Sequence, residues 1–156
     1  MNYNIASVSR LDDFYAIAPW EVTIDQSNFP NLNSLLLQVS KSSPLITTSS
    51  IENFFRLGGT LVLAVTEDEV VGMASLVVVS KVYGQTGRVE HVVVDQGHRG
   101  NGLARQMTQK ILEIARLKQL RFVDLTTEPC RVAANKLYAS LGFIKRETNP
   151  YRFFNV

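Results

Sequence analysis

The chain has 156 residues, 46% of them apolar, which suits one globular domain that buries roughly two-thirds of its unfolded surface. One cysteine (Cys130) excludes an internal disulfide framework, no run approaches the ~18 apolar residues of a membrane span, and MNYNIASVSR lacks the basic start and apolar core of a secretory signal. A net charge of +2 argues against a dedicated nucleic-acid binder, and a reducing, cytoplasmic setting is expected.

Residues 3–8 alternate weakly and are expected to form a strand, and residues 10–31 read as irregular. Asn31 or Asn33 is placed to cap a helix through Leu35, Leu36, Leu37 and Val39 that stops near Pro44. Thr48-Ser49-Ser50 precede a second helix, Ile51 to Leu57, closed by Gly58-Gly59. LVLAV (61–65), a turn at Glu67-Asp68-Glu69 and VVGMASLVVVS (70–80) read as a strand hairpin. A turn at Gly84 to Gly87 leads to RVEHVVVD (88–95), whose β-branched density suits a mid-sheet strand. Strict alternation along it puts Glu90 on one face with Val92 and Val94, and His91 on the other.

Gly97, Gly100 and Gly102 make a glycine-rich loop that opens a helix. Leu103, Met107, Ile111, Ile114 and Ala115 recur on one face of it. RFVDL (121–125) reads as a short strand. Thr127 and Pro129 mark the start of a helix through Ala134, Leu137, Tyr138 and Leu141, which Gly142 closes. FIKRE and YRFFNV are expected to be two last strands. The order specifies a mixed α/β sheet, not a regular βαβ repeat.

The loop carries the first functional signal. Helix N-termini present unpaired N–H groups and a partial positive charge, and glycine admits a phosphate to them. Residues 80–156 carry 13 basic and 6 acidic side chains, whereas 1–79 carry 3 and 8, so the half that holds the loop also suits an anion. There is no GxxxxGK for a P-loop and no GxGxxG for a dinucleotide fold. The two histidines and Cys130 lack metal-ligand spacing, so no metal is expected.

Arg99-Gly100-Asn101-Gly102-Leu103-Ala104 resembles the R/Q-x-x-G-x-G/A signature of the GNAT superfamily of N-acetyltransferases. Some 30 residues on, RVAANKLYASLGF resembles the family's second signature, a helix with Leu-Tyr followed by Leu-Gly-Phe. The resemblance covers about residues 60–150 and implies one GNAT domain over 1–156, with 1–59 as a variable acceptor side and 60–156 as the acetyl-CoA core. It implies a mostly antiparallel mixed sheet of about six to seven strands, with one splayed pair and about four helices. Acetyl-CoA would lie in the gap between strands 88–95 and 121–126. Its pantetheine arm would pair with the backbone of Val92, Val93 and Val94. Its pyrophosphate would sit on the N–H groups from Arg99 through Gly100, Asn101, Gly102, Leu103 and Ala104 to Arg105. Arg99, Arg105, Arg131 and Lys136 fall at the two helix starts that would face these phosphates.

By the same resemblance Tyr138 is the candidate acid that protonates the departing CoA thiolate; the alternative is a helix aromatic packed with Leu141 and Phe143. Glu90 is the candidate base for the attacking amine, directly or through water; the alternative is an ion pair with Arg88 or Arg121. His91 is a candidate relay or a structural residue, and His98 reads as loop packing. Two positions depart from family patterns: Thr126 stands where some members place a Glu, and Arg131 where many place an Asn. Asn135, one turn on, is the candidate to replace that Asn in holding the cofactor. Direct transfer of acetyl to a primary amine of a small molecule or peptide is implied, with no covalent enzyme intermediate, nucleic acid or membrane, and with a homodimer permitted. The alternative is an acyl-CoA sensor of the same fold without turnover. Asp12, Asp13, Glu21, Asp25 and Glu52 make an acidic first half suited to a cationic amine.

Overall fold

Runs of β-branched residues pair where neighbouring runs can share a ladder, and here they build one sheet. The structure is a computed structural model and describes residues 4–8, 27, 29–66 and 69–155. Asp12, Asp13, Glu21, Asp25 and the turn residues Glu67 and Asp68 lie outside them. The chain divides into two compact units, Met1–Thr126 and Thr127–Val156.

In the first unit β1 (Asn4–Val8), β2 (Thr60–Val65), β3 (Val70–Lys81), β4 (Gly84–Val94) and β5 (Val123–Asp124) lie side by side in that order. The first three pairings are antiparallel, and β4 with β5 is parallel. The hairpin between β3 and β4 turns at Val82-Tyr83, with Lys81 opposite Gly84. Gly84 to Gly87, expected as the turn, therefore belong to β4. Arg121 reaches across this turn, donating to the Tyr83 carbonyl at 3.2 Å and lying over its ring.

Helices cover both faces. α1 (Phe29–Val39) and α2 (Thr48–Arg56) bury Leu32, Leu35, Leu36, Ile51 and Phe55 against Leu61, Leu63, Val65, Met73 and Val93. Both helices start earlier than expected. Pro30 fits the first turn of α1, where its missing N–H costs nothing. Thr47 caps α2 in a reciprocal capping box with Ser50. On the opposite face α3 (Leu103–Leu117) buries Leu103, Met107, Thr108, Ile111 and Ala115, the stripe its periodicity specifies plus Thr108, with Ile114 at its half-buried margin.

Thr60 sits at the start of β2, 2% exposed, and its hydroxyl has no hydrogen-bond partner among the described residues. An orphaned buried hydroxyl costs about 1–3 kcal/mol. Thr60→Val keeps the shape and removes the orphan. Urea denaturation is expected to show unchanged or higher stability, by up to ~1 kcal/mol; a clear loss would mean that the hydroxyl is satisfied in solution.

The second unit holds one helix, α4 (Val132–Ser140). FIKRE and YRFFNV, expected as strands, run without strand structure in residues 143–155, so the described sheet has five strands instead of six or seven. A strand exists by pairing its backbone groups, and the described residues of this unit hold no strand for them to pair with.

Candidate active site

In the first unit the decisive feature is the course of β4. β5 pairs with it only at Gly87–Val123 and Arg88–Asp124. From Val89 onward that side of β4 has no strand partner among the described residues, so Val92, Val93 and Val94 lie beyond the point where the two strands part. This is the splayed pair expected from 88–95 and 121–126, although RFVDL shrinks to the two residues of β5.

The ladder on the other side of β4 contains a bulge. Met73 faces Val93 and Ser75 faces Glu90, so Ala74 alone opposes both His91 and Val92. His91 adopts φ 54°, the left-handed region that few non-glycine residues occupy. One extra residue inverts the alternation beyond it. Glu90, opposite Ser75, therefore shares the α1/α2 face with Val93, and Val94, opposite Gly72, lies on the α3 face. The expected grouping of Glu90 with Val92 and Val94 is overturned. His91 is also corrected. Its Nδ1 lies 3.2 Å from Ser75 Oγ, which puts its ring on the Ser75 and Glu90 side.

Glu90 is half-buried, and its Oε1 accepts from Arg88 Nε. Arg88 Nη2 also donates to Thr126 Oγ1 at 3.3 Å. The ion pair posed as the alternative reading of Glu90 is thus present, with Arg88 as its partner. Thr126, which cannot serve as a base, is joined to the same cluster.

The glycine loop is built from β4 outward. Asp95 Oδ2 accepts from the Gly97 N–H at 3.0 Å, so Asp95 caps the short 3-10 turn Gln96–His98. Gln38 of α1 donates to Asp95 Oδ1 at 2.9 Å. These bonds, the one to Gln38 first, hold the Asp95 carboxyl below its ordinary range. Gly100 and Gly102 have φ of 84° and 75°, and Gly102 caps α3 with no side chain to cover the helix N-terminus. The first helical N–H groups thus have no intrahelical acceptor. Asn101 spends its amide on the loop, donating to the His98 carbonyl at 3.0 Å. Arg99 donates from Nε to the Val94 carbonyl and from Nη2 to Gln38 Oε1, each at 3.0 Å. Its guanidinium therefore ties the loop to β4 and α1.

Sequence reasoning missed Gln38, Ser75 and Asp95. Asp95 had a legible signal, an Asp two residues before a glycine at a strand end. Gln38 and Ser75 had none, because each acts on residues that only folding brings near.

In the second unit α4 ends in a Schellman motif. Gly142, at φ 88°, donates to the Ala139 carbonyl, and the Phe143 N–H reaches back to the Tyr138 carbonyl at 3.0 Å. The Tyr138 and Phe143 rings meet edge to face, with centroids 5.8 Å apart. The Leu-Gly-Phe that follows the tyrosine is thus a helix stop that also packs the Tyr138 ring. Burial raises the Tyr138 phenol above its ordinary range, with Arg131 opposing the shift. Arg131 pairs with Glu128 at 3.5 Å. Asn135 donates to the carbonyls of Glu128 and Arg131, so its amide braces the start of its own helix. Among the described residues no cluster of His, Cys, Asp or Glu could hold a metal, and no helix is long and apolar enough to cross a membrane.

Residues 29–143 match the Acetyltransferase (GNAT) family. The chain belongs to this family. An N-acetylaspartate synthetase of Xenopus tropicalis is 35% identical over 99 residues, covering 61% of this chain and 35% of that protein. Glucosamine 6-phosphate N-acetyltransferase 1 of Oryza sativa subsp. japonica is 29% identical over 150 residues, covering 90% and 87%. The GNAT chain thus spans about a third of the length of the first of these relatives and most of the second. The crystal structure of an acetyltransferase from Trypanosoma brucei superposes with a TM-score of 0.77 at 22% identity, over 98% of this chain and all of that one. That likeness shows that the fold is the GNAT fold.

Proposed function

We propose that this GNAT chain transfers acetyl from acetyl-CoA to a primary amine of a small molecule or peptide by direct attack. One observation carries the reading. β4 leaves its partner strand after Arg88 and runs, with a free edge, into an uncapped helix N-terminus behind paired left-handed glycines. The free edge suits the amide groups of pantetheine, through the backbone of Val92, Val93 and Val94, and the N–H groups from Arg99 to Arg105 suit the pyrophosphate. Family membership and the printed names of the relatives support the donor and the reaction class.

The chemistry asks for three proton movements. The ammonium form of the acceptor gives up a proton so that its lone pair can attack the thioester carbonyl. The adduct nitrogen sheds its second proton, collapse breaks the C–S bond, and the CoA thiolate takes a proton. Tyr138 supplies that proton, since its half-buried phenol, raised above its ordinary range, stays protonated at neutral pH. Glu90 sits on the α1/α2 face and contributes negative charge there, with its carboxylate held by Arg88. Arg131 and Asn135 fix the start of α4, and any hold on the cofactor comes through that segment.

Titration with acetyl-CoA tests the reading first. A ligand that binds only the folded chain at one hundred times its Kd stabilises by about 2.7 kcal/mol, a Tm rise of roughly 5–10 °C for a chain of this size. No shift at millimolar acetyl-CoA would overturn it. Thiol release with aspartate, glucosamine 6-phosphate, spermidine and a short peptide as acceptors then reads turnover and selectivity. Faster transfer to spermidine than to the anionic acceptors would support an acidic acceptor side.

A further inference from the structure

We propose that His91, through Nε2, accepts the proton of the attacking amine, and that Ser75 is the positioning residue that leaves this nitrogen unprotonated. The inference rests on the acetyl-transfer reading and deepens it. A hydroxyl holds one proton and two lone pairs. Ser75 is 2% exposed, and its Oγ donates to the Glu90 carbonyl at 3.1 Å. That carbonyl can only accept, so the single hydroxyl proton is committed to it. Toward His91, 3.2 Å away, Oγ is then an acceptor, and Nδ1 must carry the N–H. A neutral imidazole has one N–H, so Nε2 presents its lone pair. The ring is exposed, and Nε2 has no partner among the described residues. Glu90 beside it is engaged by Arg88.

Position agrees with this role. His91 is the bulged residue of β4, three residues past the last β4–β5 pair, at the mouth of the free edge. The bulge turns its ring onto the α1/α2 face. The charged residues that β4 and β5 place on this face are Arg88, Glu90 and, opposite Arg88, Asp124, and the charged residues of α2, Glu52 and Arg56, are exposed. α1 and residues 70–80 of β3 carry none. In the step, Nε2 takes one proton from the ammonium and becomes imidazolium, which later releases it to solvent. The nitrogen lone pair forms the C–N bond as the thioester π pair moves to oxygen. On collapse the C–S bond breaks, the thiolate takes the Tyr138 proton, and the second nitrogen proton returns to that phenol through solvent.

Three measurements test the assignment. Nitrogen-15 NMR of the histidine-labelled chain at pH 8 is expected to show His91 as the Nδ1–H tautomer, and the Nε2–H tautomer would overturn the argument without any substrate. His91→Asn keeps a residue tolerant of positive φ and removes the base. With the best acceptor of the panel above, kcat at pH 7 is expected to fall about a hundredfold. The deficit should shrink as rising pH deprotonates the amine. Ser75→Ala should lower kcat less, with KM for acetyl-CoA unchanged. A wild-type rate in His91→Asn at pH 7 would overturn this inference and leave acetyl transfer intact. A wild-type chain that shifts with acetyl-CoA but serves none of the acceptors would overturn both.

Discussion

Tyr138→Phe is expected to lower kcat by about a hundredfold to ten-thousandfold, the range of a lost general acid, with the acetyl-CoA thermal shift unchanged. Phenylalanine keeps the edge contact with Phe143 and the Schellman stop at Gly142, neither of which uses the hydroxyl. Only the transferable proton is lost. The pH dependence follows from the raised phenol. Turnover in the wild type should lose its acid only above the ordinary tyrosine value of ~10. Stability carries the same sign. The unfolded phenol ionises first, so the contribution of the protonated phenol is fully present below ~10 and is lost as pH rises through the higher folded value. Both alkaline effects should be absent in Tyr138→Phe. Steady-state rates and melts between pH 7 and 11 measure them. An unchanged kcat would leave the tyrosine as packing for Phe143 and favour an acyl-CoA sensor.

Met107→Ala is expected to cause the largest loss of stability, about 2–5 kcal/mol. Met107 is fully buried where α3 crosses the sheet. A Cβ added at Gly72 would stand 3.1 Å from Met107 Cε and 3.2 Å from Ala64 Cβ, so helix and sheet are already in contact there. Truncation removes that contact and leaves a cavity that two stiff elements cannot close. Urea unfolding should show a lower midpoint at an unchanged m-value. A loss below ~1 kcal/mol would mean that α3 settles onto Gly72. Because α3 carries the loop at its start, acetyl-CoA should still raise the Tm of the variant, from a lower base.

Much of the candidate site was legible. The stripe from Leu103 to Ala115 appears in the structure as the buried face of α3, because helical period and burial are set by the same local geometry. Gly100 and Gly102 mark the loop before α3 because only residues without a Cβ take positive φ at little cost. FIKRE and YRFFNV failed for a physical reason: aromatic and apolar residues in a short run state a preference, and pairing is decided by what lies beside it. The Arg99 side chain shows the same dependence, since its partner Gln38 lies 61 residues away in sequence.

The sequence by itself determined the family, the α/β class, the glycine loop and the tyrosine helix, each carried by residues close together in the chain. It could not determine which way the side chains of β4 point. Alternation assumes an unbroken ladder, and a bulge belongs to two strands at once. Only the pairing with β3 shows that Ala74 opposes both His91 and Val92. That one extra residue turns Val94 away from Glu90 and brings His91 onto Ser75. The opposing strand, absent from any local reading of RVEHVVVD, therefore decides which groups of the candidate site share a face.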